Sequence, residues 1–314
     1  MQEWAPEVRV DEALARRLIR AQFPEVEQRA FRLLGEGWDN TVWLVDEKWV
    51  FRFPRRTMVL PGLANEIAYL PRLAPLLPLP VPVPTLIGEP SADFGWQFYG
   101  APFLPGRELA HSALDDDARV RLAAPLGAFL RALHSLELDA DLPVDPVRRA
   151  DMSFRVPRTN ERFDQLAQEG LWTAPPGALE IVAAAGRLTQ PEPEVVAHGD
   201  LHLRHLLVDD GGEPTAVIDW IDLSRNDPGV DLVLYWGALP PAGRAAFREA
   251  YGEISEESLL RARILSLFLC GTLAVWGHHE GDERVKREAL AGLDRTCVDS
   301  TSPQEGEAPQ TRPA

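Results

Sequence analysis

The sequence predicts an α+β fold in two lobes, an antiparallel-sheet lobe followed by a mainly helical one. Three observations predict it. Up to about residue 104 the chain is made of short apolar segments, and the links joining the first three are too short for a parallel crossover. A Pro/Gly-rich stretch, Gly100-Ala101-Pro102-Phe103-Leu104-Pro105-Gly106, then interrupts it. Beyond that stretch the apolar residues recur at helical spacing. The boundaries that follow are an N-terminal lobe over 1–101, a hinge and helical lobe over 102–298, and a tail over 299–314.

The elements read in order. Asp11 is placed to cap a helix running to about Ala21, with Leu14 and Leu18 one turn apart on one face. Three strands follow, Arg29–Leu34, Thr41–Asp46 and Trp49–Phe53, linked by Gly35-Glu36-Gly37-Trp38-Asp39-Asn40 and by a tight turn at Glu47-Lys48. A helix spans Leu63–Leu73, with Pro71 placed to kink it or end it early, and carries Glu66. Pro78, Pro80, Pro82 and Pro84 then hold an extended connector, because proline fixes φ and removes the helix donor. The strand Trp96–Tyr99 leads into the hinge. After it, Leu122, Leu126, Phe129, Leu130 and Leu133 share a helix face. Residues 136–160, rich in Asp, Pro and Arg, read as a loop or insertion. Helical patterns resume at Glu161–Ala167 and Ala178–Leu188, a strand–loop–strand block fills Val195–Trp220, and helices continue to about Arg295. The tail from Asp299 has no large apolar residue and is expected to be disordered.

Composition narrows the function. The 32 Lys and Arg against 48 Asp and Glu leave a net charge of −16, which argues against nucleic-acid partners, since these need a basic face. Such a field favours cationic ligands, so a nucleotide user must gather its few basic residues and a divalent metal around the phosphates. The acidic N-terminus lacks an apolar signal core, and the run Ile264–Trp276 is shorter than the ~20 residues a bilayer crossing takes. A buried helix, no membrane partner and a cytoplasmic location are expected. Cys270 and Cys297 fit no metal or redox spacing and read as reduced, packed thiols.

The chemistry concentrates in Val195–Asp209 and Ala216–Asp222. Two short apolar strands around Gly211-Gly212 place Asp200 and His205 at one edge and Asp219 at the other. A free carboxylate beside a His/Asp pair able to hold a hard divalent ion is what phosphoryl transfer requires: a positioned nucleophile and neutralised phosphate charge. No GxxxxGK[ST] occurs, which disfavours a P-loop.

The order of these parts resembles the protein-kinase fold. His198-Gly199-Asp200-Leu201-His202 resembles the catalytic loop of the aminoglycoside phosphotransferase family of small-molecule kinases, and Ile218-Asp219-Trp220 its metal-binding strand end. The resemblance implies Asp200 as catalytic base or hydroxyl-orienting group and Asp219 as an Mg²⁺ ligand. Where the family usually has a second metal ligand Asn, this chain has His205, a replacement familiar in the aminoglycoside 2''-phosphotransferase and macrolide phosphotransferase branches; a neutral imidazole ligates through one nitrogen. Trp49-Val50-Phe51-Arg52-Phe53-Pro54-Arg55 resembles those branches' phosphate-facing strand, which makes Arg52 the phosphate cation and Glu66 its helix partner. Gly35 and Gly37 fall where backbone N–H groups would cover phosphates. Pro102 and Leu104 fall on the family's adenine-binding connector, through the carbonyl of the first and the N–H of the second.

Other polar residues keep two readings. His198 reads as a brace for the loop; His202 as either a packed ring or a partner of the site. Arg204 is expected as a solvated loop cation, and Asp231 as a helix cap or a brace of the catalytic loop. Asp222 either caps its loop or binds an acceptor ammonium. The resemblance implies transfer of the γ-phosphate of ATP or GTP, with Mg²⁺, to a hydroxyl of a cationic small molecule such as an aminoglycoside or macrolide. A metabolic kinase of the same fold, for a choline-like, amino-acid or sugar acceptor, is one rival, and a nucleotide-binding module without turnover is the other.

Overall fold

The computed structural model describes residues 6–298 except Trp38 and Leu138; the tail expected to be disordered lies outside them. Helix α1 (Glu12–Gln22) starts where Asp11 accepts the Leu14 N–H at 2.8 Å, and it buries Ala15, Leu18 and Ile19. Strands β1 (Phe31–Glu36), β2 (Asn40–Val45) and β3 (Trp49–Pro54) form the expected meander, joined by β4 (Leu86–Gly88) and β5 (Phe98–Pro102) into one antiparallel sheet of order β1-β2-β3-β5-β4. Phe23, Phe51, Phe53, Phe94 and Phe98 pack as an aromatic core against one face of it. Helix α2 (Leu60–Leu73) lies between β3 and β4 in sequence. It starts before the expected Leu63 and passes through Pro71, whose missing donor falls in the last turn.

The last sheet strand sits later than expected, over Phe98–Pro102, because Trp49 of β3 pairs with Pro102. Past the hinge come β6 (Arg107–Glu108), α3 (Leu109–Ser112) and α4 (Asp116–His134), the last capped by Asp115. The stretch 136–160 is not a free loop. Asp151 accepts the Ser153 N–H and starts α5 (Met152–Gln168), so the stretch is helix cap and helix from 151 on. The remainder is tied to the core through Arg225, whose N–H donates to Pro143 and whose carbonyl accepts from Asp145. Then follow α6 (Pro176–Ala185), β7 (Val195–Ala197), β8 (Leu206–Val208), β9 (Pro214–Val217), β10 (Ser224–Asn226), α7 (Val233–Gly237), α8 (Pro241–Tyr251), α9 (Glu256–Glu280) and α10 (Glu283–Cys297).

β8 and β9 form the expected hairpin, with Leu206 opposite Val217 and Gly212 at φ +86° in the turn. β7 pairs instead with β10, so the two segments that carry the site are held by different sheets. Helix α9 extends beyond the expected apolar run. By length and composition it is apolar enough to cross a membrane, but 78% of its apolar window is buried inside the fold, among α5, α7 and α10.

Candidate active site

The loop after β7 is fixed by one carboxylate. Asp231, wholly buried, accepts the His198 N–H at 2.7 Å and the Gly199 N–H at 2.9 Å, and meets His134 Nε2 at 3.1 Å. Burial would raise this carboxyl, but His134, His198 and the amide donors more than offset it and hold it below its ordinary value. Of its two readings, Asp231 is therefore the brace; the helical turn at Pro228 is capped by Asp227, which accepts from Gly229. Gly199 has φ +86°, and a Cβ there would stand 2.3 Å from the Asp222 carbonyl oxygen. Only glycine lets this loop and the Asp219–Asp222 segment touch. His198 spends both ring nitrogens on backbone: Nδ1 accepts from Asp200 N–H at 3.1 Å and Nε2 donates to the Ile218 carbonyl at 3.0 Å. Burial lowers its pKa to about 4, so it is a neutral strut.

Asp219, just past β9, adopts φ +66°, a left-handed conformation that a non-glycine residue occupies at a cost. Its Oδ1 accepts from Arg52 at 2.7 Å, and its Oδ2 lies 3.4 Å from His205 Nε2. His205 Nδ1 is 2.8 Å from the Asp200 carbonyl. A carbonyl only accepts, so Nδ1 carries a proton and Nε2 is the ring nitrogen turned to Asp219. Burial would raise Asp219, but Arg52 and His205 hold it far below the usual carboxylate range. An ionised carboxylate and an imidazole nitrogen turned to one gap fit a divalent ion. Asp200, His202 and His205 also bring ligand atoms within 4.8 Å of one another. His202, however, uses Nδ1 to accept the Arg204 N–H at 3.2 Å, which leaves its Nε2 protonated in a ring that burial keeps neutral. It stacks on His205 with ring centres 3.8 Å apart and has no lone pair to give.

Arg52 joins the lobes. From β3 its Nη1 donates to Glu66 Oε1 at 3.0 Å while Nη2 holds Asp219, and Glu66 also accepts the Trp220 N–H at 3.1 Å. Glu66 is wholly buried; burial and the nearby Asp219 raise its carboxyl to about 7, against the pull of Arg52. Gly62 of α2 lets the helix lie on the Ile221 carbonyl, which a Cβ would meet at 2.3 Å.

The glycine loop is shorter than expected. Gly35 and Glu36 lie in β1, with Gly35 at a bulge opposite Val42 and open space above its Cα. The Gly37 N–H donates to the Asn40 carbonyl, and its own carbonyl accepts from Arg55, so that amide closes the hairpin and is not free for a phosphate. In the hinge, Phe103 N–H is taken by Lys48, whereas Leu104 N–H meets no acceptor among the described residues.

Asp200 adjoins His205 on the side away from Arg52, its Oδ2 3.8 Å from His205 Nδ1. Burial raises its carboxyl to about 6, with Arg149 and His205 pulling it down. Arg149 was not legible in the sequence, where it sat in the supposed loop. Its Nη2 lies 2.7 Å from Asp200 Oδ1 and donates to Asp222 Oδ2 at 2.7 Å. Asp222 thus spends its Oδ2 on Arg149, a partner that neither reading of it named. Arg204 is not a solvated cation either: it forks onto Glu108 at 2.8 and 3.1 Å and lies over the Trp276 ring.

Known proteins share this shape. The GDP and kanamycin complex of APH(2")-IIia is 24% identical, covers 90% of this chain and 97% of its own, and superposes with a TM-score of 0.67. The GDP complex of wild-type aminoglycoside 2'-phosphotransferase-IIIa is 23% identical over 92% and 99%, with a TM-score of 0.64. The apoenzyme of macrolide 2'-phosphotransferase MphH from Brachybacterium faecium is 23% identical over 86% and 93%, with a TM-score of 0.53. At these identities the likeness is one of fold, the bilobal kinase-like fold expected from the sequence. A curated relative, the uncharacterized protein YcbJ of Bacillus subtilis (strain 168), is 47% identical over 38 residues, and the match spans only 12% of either chain. The model of the phosphotransferase enzyme family matches residues 30–265, from β1 through the loop after β7 into α9, and by that match over most of its length the chain belongs to this family.

Proposed function

We propose that this chain transfers the γ-phosphate of ATP or GTP to a hydroxyl of a small-molecule acceptor. The observation that carries the reading is a division of labour around one cleft. Arg52, His205 and Asp219 converge on one side, while the Asp200 carboxylate, 3.8 Å from His205 Nδ1, turns its Oδ1 to Arg149 on a loop braced on Asp231. Residues 1–101 hold the phosphates and, through Leu104 just beyond them, the base; residues 102–298 supply the metal ligands and the acceptor side. Mg²⁺, when bound, neutralises charge on the β- and γ-phosphates. Asp219 and His205 hold it, Arg52 hands part of its charge from Asp219 to the phosphates, and Asp200 accepts the hydrogen bond of the acceptor hydroxyl and takes its proton late. A pKa near 6 suits that task, because the group is ionised at neutral pH yet remains a usable base.

The acceptor expected from the net charge of −16 is cationic, an aminoglycoside or an amino-sugar macrolide. The fold relatives point the same way, one being a kanamycin complex and another a macrolide phosphotransferase. A metabolic acceptor such as a sugar is the second reading, and the pairing of Arg149 with Asp222 favours it. Nucleoside-diphosphate release, measured with ATP and GTP across aminoglycosides, macrolides and sugars, tests the proposal. Acceptor-dependent release with phosphorylated product supports it; metal-dependent nucleotide binding with no turnover on any acceptor refutes it.

A further inference from the structure

We propose that Arg149 is a specificity-determining residue, a tethered guanidinium seated where an acceptor ammonium would otherwise bind, which selects against acceptors carrying an amine beside the reacting hydroxyl. The inference rests on the reading that Asp200 faces that hydroxyl.

Two carboxylates flank the acceptor side, Asp200 and Asp222, and their closeness is built in by Gly199, whose missing Cβ lets the Asp222 backbone onto the catalytic loop. Two carboxylates so placed are what a primary ammonium seeks. Here the position is taken: Arg149 Nη2 lies 2.7 Å from an oxygen of each. Its side chain is only 12% exposed, and its Nε is buried with no hydrogen-bond partner among the described residues.

The segment that delivers Arg149 is itself constructed for the purpose. The Asp145 carboxylate accepts the Arg149 N–H at 2.5 Å and the Ala150 N–H at 2.9 Å, and Asn226 of β10 donates to it at 3.2 Å. Arg155 of α5 donates to the carbonyls of Val147 and Arg148 from the other side. Asp145 and Arg148 both take positive φ, 36° and 55°, and Ala150 is buried in the core. Backbone strain at two residues flanking a fully anchored turn marks a position that the surrounding structure enforces. A second cation brought to the same two carboxylates meets Arg149 at close range in a poorly hydrated site, where like charges repel strongly. An acceptor with an amine beside the reacting hydroxyl must therefore displace the guanidinium, whereas one with its amines elsewhere, or a neutral polyol, need not.

The test compares 3-amino-3-deoxyglucose with glucose on the full chain. It reads affinity by ligand-observed NMR titration and turnover by mass spectrometry. In Arg149→Met the affinity ratio should move toward the amino sugar by about tenfold or more, the scale of one charge-assisted hydrogen bond regained. Arg149→Lys should keep the wild-type ratio, since it restores the cation. Arg149→Gln carries the same expectation as Met should the latter disturb folding. An unchanged ratio in a folded Arg149→Met or Arg149→Gln overturns the proposal. So does loss of turnover on both sugars without a change in the binding ratio, because Arg149 would then orient Asp200 and select nothing. Absence of product from any acceptor in the wild type would instead sink the phosphotransfer reading, and the binding ratio would still decide the role of Arg149.

Discussion

Asp231→Asn should loosen the loop after β7, which this carboxylate holds. The carboxylate is wholly buried and takes two backbone N–H groups, at 2.7 and 2.9 Å, while it meets His134 at 3.1 Å. Asparagine keeps one acceptor oxygen and turns its amide donor toward a backbone N–H, so at least one buried donor is orphaned, at roughly 1–3 kcal/mol. Loss of charge from the remaining contacts brings the total to about 3–5 kcal/mol, the scale of breaking a buried charged pair. For a chain of this size that corresponds to a fall in Tm of roughly 10 °C. The sign with pH is set by the shift. Asp231 is held below its ordinary value when folded, so its contribution is present above the unfolded pKa, about 4, and is lost as pH falls through the folded value. The gap between wild type and Asp231→Asn should therefore be widest at neutral pH and should close in strong acid. Thermal melts followed by circular dichroism from pH 7 to pH 3 measure it. A variant melting within about 2 °C of wild type at pH 7, with unchanged turnover, would refute the brace.

Four residues of the cleft give the remaining expectations, the first three here and Asp200 at the end. Asp219→Ala should abolish turnover and sharply weaken Mg·nucleotide binding, since His205 alone brings no full negative charge to the metal; calorimetry showing wild-type affinity would contradict the assignment. Arg52→Ala should lower kcat more than stability, and Arg52→Lys should keep part of the activity by restoring the charge without the planar fork that spans Glu66 and Asp219; wild-type kinetics in Arg52→Ala would remove Arg52 from the site. Gly199→Ala combines a left-handed φ, about 1–2 kcal/mol for a non-glycine residue, with a contact at 2.3 Å to Asp222. It should lose most turnover while the N-terminal lobe keeps its fold, as hydrogen exchange would report, and full activity would mean that the loop has room to give.

What the sequence disclosed was local. His198, Asp200, His205 and Asp219 fall within one short stretch, so their spacing alone announced a cluster, and the β8–β9 hairpin that gathers them is signalled by its two glycines. Arg52 and Glu66 were legible through the resemblance of Trp49–Arg55 and the following helix to the family's phosphate-facing strand and its glutamate partner. Arg149 was not: it meets Asp222 across 73 positions, and that closure depends on Asp145, Arg155 and Asn226 acting together. The start of α5 was masked by its own composition. Pro157 argues against a helix there, although Asp151 two residues before Ser153 was a cap signal in plain view. The Gly37 amide was misread for a different reason: a glycine between strands signals a turn, but says nothing about whether its N–H is already spent.

The central claim, that one carboxylate serves the acceptor while a separate pair serves the metal, is tested most directly by Asp200→Asn. The substitution keeps the shape and removes the base and its charge, and Asp200 faces Arg149 and Asp222 while Asp219 is the residue bound to Arg52. Nucleotide affinity by calorimetry should stay nearly unchanged, and phosphorylated product by mass spectrometry should fall by roughly 10²–10⁴-fold, the range of a positioned general base. Undiminished product would take Asp200 out of the mechanism, and lost nucleotide binding would make it a metal ligand or a structural residue.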